Sequence, residues 1–255
     1  MTRRAAAWGL CLALAAVVVA CGAWVGWEAL RLPQASQLRE SIYVRRNPAA
    51  DNVWMPLWAM SGPLQTAVVV WEDPAFYHHG ALNPPEIARA LWLNLRAGGY
   101  VRGASTITQQ VVKNQLLGNE KTLRRKLREA ILAYRLEQVL TKDQILTLYL
   151  NVADWGDGVV GAEVAARRYF GKPAAQLEWA EAALLAGMLP NPRVRNPCVH
   201  PVPALAARGA VLAKLREYGH LTPDAHRAAQ AAAWQGCAGE DGASHRAVAA
   251  RAIQP

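Results

Sequence analysis

The first side chain whose position suggests chemistry is Glu72, which follows the apolar run 67–71. Burial disfavours a charged carboxylate, so the pKa of a glutamate at the end of an apolar segment is expected to rise toward the range of a general base. A structural alternative exists, because the pair Glu72 and Asp73 could instead cap the next segment. Residue types alone leave both interpretations open.

The stretch 102–114, RGASTITQQVVKN, concentrates hydrogen-bonding side chains. Gln109 and Lys113 are four residues apart and would share one face of a helix. A helix N-terminus with a lysine nearby suits an anionic, oxygen-rich ligand such as a sugar diphosphate. The structural alternative is a polar surface helix capped by its hydroxyl residues. The candidate capping residues are Ser105, Thr106 and Thr108.

A third group of charged residues, KTLRRKLRE, occupies positions 121–129. Lys121, Arg125 and Glu129 follow at four-residue spacing and would line one helix face. Solvated ion pairs of this kind are common and contribute only about 0.3–0.5 kcal/mol each. Taken by itself, this group is more typical of a helix surface than of a site.

The elements that must position these residues are predicted to be helices. Apolar residues recur at helical spacing after residue 61, and the sequence has no hairpin signal, internal repeat or dinucleotide-binding glycine pattern. Thr141 and Gln144 have the spacing of a capping box. The predicted helices are 85–95, 122–139, one from 141, 158–170, 177–189 and two within 201–233, with 64–71 a short helix or a strand. The sequence therefore predicts a mostly α domain.

The N-terminal apolar run sets the expected compartment. Residues 5–27 carry no charge and are long enough to cross a bilayer, which takes about 20 apolar residues. Arg3 and Arg4 precede the run, so we expect the N-terminus in the cytoplasm and the rest of the chain outside it. A cleaved signal peptide and lipoprotein processing at Cys21 are the alternatives to an uncleaved anchor.

Composition divides the chain into four predicted parts. They are a cytoplasmic stub and transmembrane anchor at 1–30, a linker and membrane-proximal segment at 31–61, the main domain at 62–235 and a flexible tail at 236–255. The segment 53–60 is unusually apolar for a linker. We expect it to pack on the core, with contact to the membrane surface as the alternative.

The net charge of +9 and the pI near 9.7 imply an anionic partner. On an exported, tethered domain this predicts anionic lipid or a phosphorylated lipid substrate rather than nucleic acid. Cys198 and Cys237 lie in the exported part, where a disulfide can persist, and the sequence leaves their pairing open. No cysteine or histidine spacing indicates zinc.

Considered together, the charged stretches resemble the peptidoglycan glycosyltransferases of glycosyltransferase family 51. Five motifs appear in unbroken order between residues 54 and 192. They are Glu-Asp-x-x-Phe-x-x-His at 72–79, RGASTITQQVVKN at 102–114, Arg-Lys-x-x-Glu at 125–129, KDQILTLYLN at 142–151 and GVVGAEVAARRYFGK at 158–172. Residues 154–158, DWGDG, are most similar to the monofunctional biosynthetic branch. No serine has lysine three residues later, as a transpeptidase domain would need, so a monofunctional enzyme is expected.

The resemblance implies a lysozyme-like glycosyltransferase domain behind one transmembrane helix, in the periplasm at the bacterial inner membrane. It implies polymerisation of lipid II: the growing lipid-diphosphate-linked glycan passes to the 4-hydroxyl of lipid II with inversion, which forms β-1,4 bonds and releases polyprenyl diphosphate. No organic cofactor would be required. The implied role is cell wall biogenesis, with cell-wall synthesis or division proteins as candidate partners.

The resemblance also implies roles for individual residues. Glu72 would be the general base, and Glu129 would orient the cations or hold a divalent ion, Mg or Mn, beside the diphosphate. The implied substrate-binding residues are Ser105, Thr106, Gln109, Lys113, Asn114, Lys121, Arg125 and Lys126.

The chain departs from the family's pattern mainly around the first motif. Gly80 comes one position early, and Asn83 stands where an acidic residue is frequent. Trp71 precedes the glutamate where a small residue is usual, and Lys121 replaces an arginine. These changes concern loop geometry and catalytic rate more than the class of reaction.

Two other functions are compatible with the sequence. A lysozyme-like lytic enzyme would cut glycan strands with one catalytic glutamate, although the basic residues beside Glu129 favour a diphosphate substrate. An inactive, membrane-tethered protein that binds glycan or the division machinery is the second alternative.

Overall fold

The computed structural model describes residues 3–44, 54–101, 103–118, 120, 122–234 and 237. Over these residues the chain is helical, and its only β feature is an isolated bridge between Asp154 and Val160. In chain order the helices are α1 Arg3–Leu30, α2 Ala35–Val44, α3 Gly62–Glu72, α4 Pro84–Ala97, α5 Ile107–Leu116, α6 Leu123–Glu137, α7 Lys142–Val152, α8 Ala162–Phe170, α9 Trp179–Met188, α10 Pro201–Glu217 and α11 Pro223–Ala231. The prediction of a mostly α fold is confirmed.

The helix starts follow the capping residues in the sequence. Thr106 and Gln109 form a capping box that begins α5, and Thr141 and Gln144 form the predicted capping box that begins α7. The side chain of Thr122 accepts a hydrogen bond from the third residue of α6. Local sequence therefore sets where the helices that carry the charged motifs begin.

The core joins two groups of helices. Helices α3, α9 and α10 pack together, and α5 packs against α6 and α7. The largest fully buried side chains include Phe76, Tyr149, Trp155 and Tyr169. The C-terminal end of α3 is joined by hydrogen bonds to α5, and this junction holds the first charged motif.

Helix α1 contains the stretch Cys11–Leu30, which is long and apolar enough to cross a membrane. Near its end, the buried Glu28 accepts hydrogen bonds from Arg124 and Arg128 of α6, both at 2.7 Å. Arg135 of α6 donates to three backbone carbonyls between residues 29 and 33. The apolar helix is therefore docked on the same helix that carries Glu129.

The predicted linker 31–61 contains structure of its own. Helix α2 packs against α6 and buries Leu38 completely. In the apolar segment, Trp54, Met55 and Leu57 pack against the core, whereas Trp58 is 87% exposed. Packing on the core is thus the main role of 54–60, while residue 53 lies outside the described part.

A disulfide joins Cys198 to Cys237. It ties the loop before α10 to the chain after α11, and Cys237 is buried. The pairing that the sequence left open is therefore formed. The remainder of the predicted flexible tail 236–255 lies outside the described residues.

Candidate active site

Glu72 is the last residue of α3 and is partly buried. Its Oε2 accepts a hydrogen bond from Nε2 of Gln110 at 2.6 Å, and Oε1 of Gln110 accepts one from the hydroxyl of Tyr149 at 3.1 Å. Tyr149 is buried on α7, so it fixes the orientation of the Gln110 amide. We refer to Glu72, Gln110 and Tyr149 as the Glu72 cluster.

The electrostatic surroundings of Glu72 contain opposing effects. Burial raises the pKa of Glu72, while the hydrogen bond from Gln110 and the nearby charges of Lys113, Lys214 and Arg195 act to lower it. The net direction is upward. A carboxylate whose direct partner is a neutral amide and whose pKa is raised is suited to accept a proton.

The rest of the first motif positions α5 beside Glu72. Asp73 accepts a hydrogen bond from the backbone N–H of Ile107 at 3.1 Å and pairs with Nε2 of His79 at 2.6 Å. A carboxylate at a helix N-terminus is favourable, because the N–H groups there lack helical partners. Thr106 also donates from its hydroxyl to the carbonyl of Ala81 at 2.7 Å. Neither carboxylate caps the segment that follows: Asp73 bonds to the start of the distant helix α5, and Glu72 bonds to Gln110.

Glu129 forms a second cluster, in which the partners of the carboxylate are cationic. Its side chain is 2% exposed, and its oxygens accept from Nη1 of Arg125 at 2.7 Å and from Nζ of Lys126. Nζ of Lys126 also donates to Oγ of Ser105 at 2.8 Å, just before α5. We refer to Glu129, Arg125, Lys126 and Ser105 as the Glu129 cluster. Because Glu129 is buried, it is not part of a solvated helix surface.

A divalent ion does not fit Glu129 as it stands. Both of its carboxylate oxygens accept hydrogen bonds from cationic side chains. Within the described part of the chain, no group of three or more His, Cys, Asp or Glu side chains could hold a metal ion. We therefore derive no chemical step through a metal at this position.

A cavity of about 370 Å³ lies beside the Glu129 cluster. Its lining includes Leu116, Thr122, Arg124, Arg125 and Arg128. The lining also includes the acidic Glu120, and all three arginines already pair with Glu28 or Glu129.

The other predicted substrate-binding residues occupy different environments. Thr106 and Gln109 are buried, and their side chains bond to each other's backbone N–H groups in the capping box of α5. Lys113 is partly buried and Asn114 is exposed, both on α5. Lys121 lies outside the described residues. The segment 103–114 thus connects the two clusters, through Ser105 at one end and Gln110 and Lys113 at the other.

Sequence reasoning missed several residues near Glu72. Gln110 and Tyr149 lie inside quoted motifs, but helical spacing drew attention to Gln109 instead. Lys214 and Arg195 lie beyond residue 192, where the motif order ends. No signal in the sequence connected either of them with Glu72.

Comparison with known proteins places this arrangement in context. The profile of the family described as Transglycosylase matches residues 40–216. The chain is 43% identical over 176 residues to a biosynthetic peptidoglycan transglycosylase of Azoarcus sp., covering 67% of this chain and 76% of that protein. It is 43% identical over 189 residues to the protein of the same name from Rhodospirillum centenum, covering 74% and 78%.

A much longer protein is also similar to part of this chain. Penicillin-binding protein 1A of Aquifex aeolicus is 45% identical over 163 residues, which is 64% of this chain. This chain spans only 22% of that protein's length.

Proposed function

The chain belongs to the transglycosylase family, and on that premise we propose that it is a peptidoglycan polymerase that uses lipid II as substrate. The observation that carries the proposal is the environment of Glu72. Its carboxylate has a raised pKa and a neutral hydrogen-bond partner, and basic side chains surround it. This is what a general base next to an anionic substrate requires.

In the proposed reaction, Glu72 takes the proton from the 4-hydroxyl of lipid II as that oxygen attacks the anomeric carbon of the lipid-linked glycan. The new β-1,4 bond forms with inversion as the bond between that carbon and the diphosphate oxygen breaks. Polyprenyl diphosphate leaves with the bonding electron pair. The lengthened glycan stays attached to the lipid diphosphate of the acceptor.

The leaving group departs as a weakly basic diphosphate anion, so it needs charge stabilisation more than a proton. We assign this role to Lys113, Arg125 and Lys126, with Ser105 and Asn114 as hydrogen-bonding residues. Glu129 would hold Arg125 and Lys126 in place, because both donate to its carboxylate. Lys121 remains a predicted ligand on the resemblance alone.

The membrane is part of the proposal because both donor and acceptor carry polyprenyl chains. We propose that α1 is a single transmembrane anchor in the bacterial inner membrane and that the domain lies in the periplasm. The exposed apolar side chains of α4 support a position of the domain close to the bilayer. They include Leu91, Trp92 and Leu95, followed by Tyr100 after the helix. We further propose that the protein is monofunctional and acts in cell wall biogenesis.

The test separates polymerisation from its alternatives. The full-length protein in detergent micelles is incubated with labelled lipid II and, separately, with purified sacculi. We expect lipid II to be consumed into glycan that a β-1,4-specific muramidase digests, while the sacculi stay intact. Soluble muropeptides released from sacculi would instead identify a lytic enzyme, and no conversion of either substrate would identify an inactive glycan-binding protein.

A further inference from the structure

We propose that Lys214 of α10 is a positioning residue for Glu72: the lysine holds the end of α3 and keeps the Glu72 carboxylate in its proton-accepting form. This inference rests on the function proposed above. Nζ of Lys214 donates to the carbonyl of Trp71 at 3.3 Å, and Trp71 immediately precedes Glu72. The contact joins residues that are 143 positions apart in the chain.

The ammonium group of Lys214 is held by two aromatic rings as well as by the carbonyl. It lies 5.5 Å from the ring centroid of Trp71 and 5.9 Å from that of Tyr218. Cations within about 6 Å of an aromatic face are attracted to it. Trp71 directly precedes Glu72, so the ring and the carbonyl that hold the lysine belong to the same residue beside the base.

The position of Lys214 suits a cation that acts on a carboxylate. The last carbonyls of a helix lack helical partners and carry partial negative charge, so a cation there stabilises the helix end. Glu72 is the last residue of α3, and Lys214 contributes to lowering its pKa against the larger effect of burial. One side chain thus fixes the end of α3 and favours the ionised base.

The charged and titratable groups around Glu72 come from several elements. Three cations lower the pKa of Glu72. They are Lys113 of α5, Arg195 of the loop that follows α9, and Lys214 of α10. Glu72 in turn raises the pKa of Tyr149, which burial raises most. In the proposed reaction Lys113 lies next to the diphosphate, whose negative charge would offset the positive charge of the lysine. Arg195 donates to the carbonyl of Gly187 at 2.9 Å, at the end of α9. Lys214 is the cation tied to the backbone of α3 itself.

The test measures the protonation of Glu72 directly. Full-length protein in micelles is labelled with ¹³C at the glutamate δ-carbons, and the Glu72 signal is the one missing from Glu72→Gln. We expect its titration midpoint to rise by about half a unit or more in Lys214→Gln and Lys214→Met, because an opposite charge has been removed. The glutamine variant retains a donor for the Trp71 carbonyl, which separates the effect of charge from that of the hydrogen bond.

Two control variants make the test specific. Lys214→Arg keeps the charge and should keep the wild-type midpoint. Arg216→Met removes one exposed positive charge from the same helix and should also leave the midpoint unchanged. In polymerisation assays the acid limb of the kcat/KM profile should move with the midpoint.

An unchanged Glu72 midpoint in Lys214→Gln overturns the proposal, and so does a loss of rate by one factor at every pH. A wild-type protein that does not consume lipid II would instead refute the proposed function, and the NMR titration would still decide the role of Lys214.

Discussion

Two glutamates at opposite ends of the segment 103–114 have contrasting environments. Glu129 is buried and its carboxylate oxygens accept from two cationic side chains, so its negative charge is matched within the fold. Glu72 is partly buried and its direct partner is the neutral amide of Gln110, while the cations near it act at longer range. The same residue type thus accepts from two cations in one cluster and from a neutral amide in the other.

The difference assigns roles without reference to sequence similarity. A carboxylate whose oxygens both accept from cationic side chains fixes the positions of those cations and has both oxygens engaged. A carboxylate with a raised pKa and a neutral partner gains more from protonation. In the proposed reaction, the Glu129 cluster is therefore the anion-binding part of the site and Glu72 is the proton acceptor.

Glu72→Gln should have the largest effect on rate. We expect kcat/KM for lipid II polymerisation to fall by about 10²–10⁴-fold, because the amide cannot accept the proton. Stability should be retained or raised at neutral pH. A raised pKa means that the folded state binds the proton more tightly than the unfolded state, so ionised Glu72 costs stability above that pKa. Glu217→Gln, at an exposed position, should keep wild-type values in both the assay and thermal unfolding.

Glu129→Gln should reduce stability as well as activity, unlike Glu72→Gln. Unfolding in denaturant should be easier by about 2 kcal/mol, because Arg125 and Lys126 lose their shared counter-ion. Activity should fall about 100-fold, since misplaced cations no longer meet the diphosphate. The more solvent-accessible pair of Glu86 and Arg89 provides the control, and Glu86→Gln should change stability by less than about 1 kcal/mol. A Glu129→Gln protein with unchanged stability would contradict the proposed role of the cluster.

Gln110→Met removes the direct partner of Glu72 with little change in volume. Hydrogen bonds to charged groups are worth about 1.5–3 kcal/mol, and this one favours the carboxylate, so the rate at neutral pH should fall about tenfold. The acid limb should also move to higher pH. Gln144→Met makes the same change in the capping box of α7 and should reduce stability while leaving the acid limb in place.

Tyr149→Phe should have the smallest effect of the series. It removes only the hydroxyl that orients the amide of Gln110, so we expect a loss of about threefold in rate. Combined with Gln110→Met, it should add little, because both substitutions act on the same hydrogen-bonded chain. Fully additive losses in the double variant would show that Tyr149 does not act through Gln110.

The helices were predictable where local signals define them. Apolar spacing and capping residues gave the positions of α4, α6, α7 and α10, and the family match confirms the predicted class of a lysozyme-like domain behind an apolar helix. Helix α2 was missed because prolines on both sides of it suggested a linker. Its stability comes from packing Leu38 against the core, which is a tertiary effect. The four predicted domain limits remain predictions.

The site was predictable to the level of motifs. The motifs drew attention to Glu72, Glu129 and the segment between them, whose roles remain predictions, and the resemblance to the peptidoglycan glycosyltransferases is confirmed. The direct partner of Glu72, Gln110, was missed. The two adjacent glutamines differ only in helical phase, and Gln109 is the one used in the capping box. Lys214 was missed because its contact with Trp71 depends on how α10 packs on α3.

The pH dependence of lipid II polymerisation tests the central claim most directly. The kcat/KM profile of the wild-type protein should fall on the acid side with an apparent pKa above the ordinary value of 4.5 for glutamate, because burial raises the pKa of Glu72. The residual activity of Glu72→Gln should lack this limb. Two results would contradict the assignment of Glu72 as the general base. One is an acid limb at the same pH in Glu72→Gln, and the other is a wild-type kcat/KM that does not fall on the acid side.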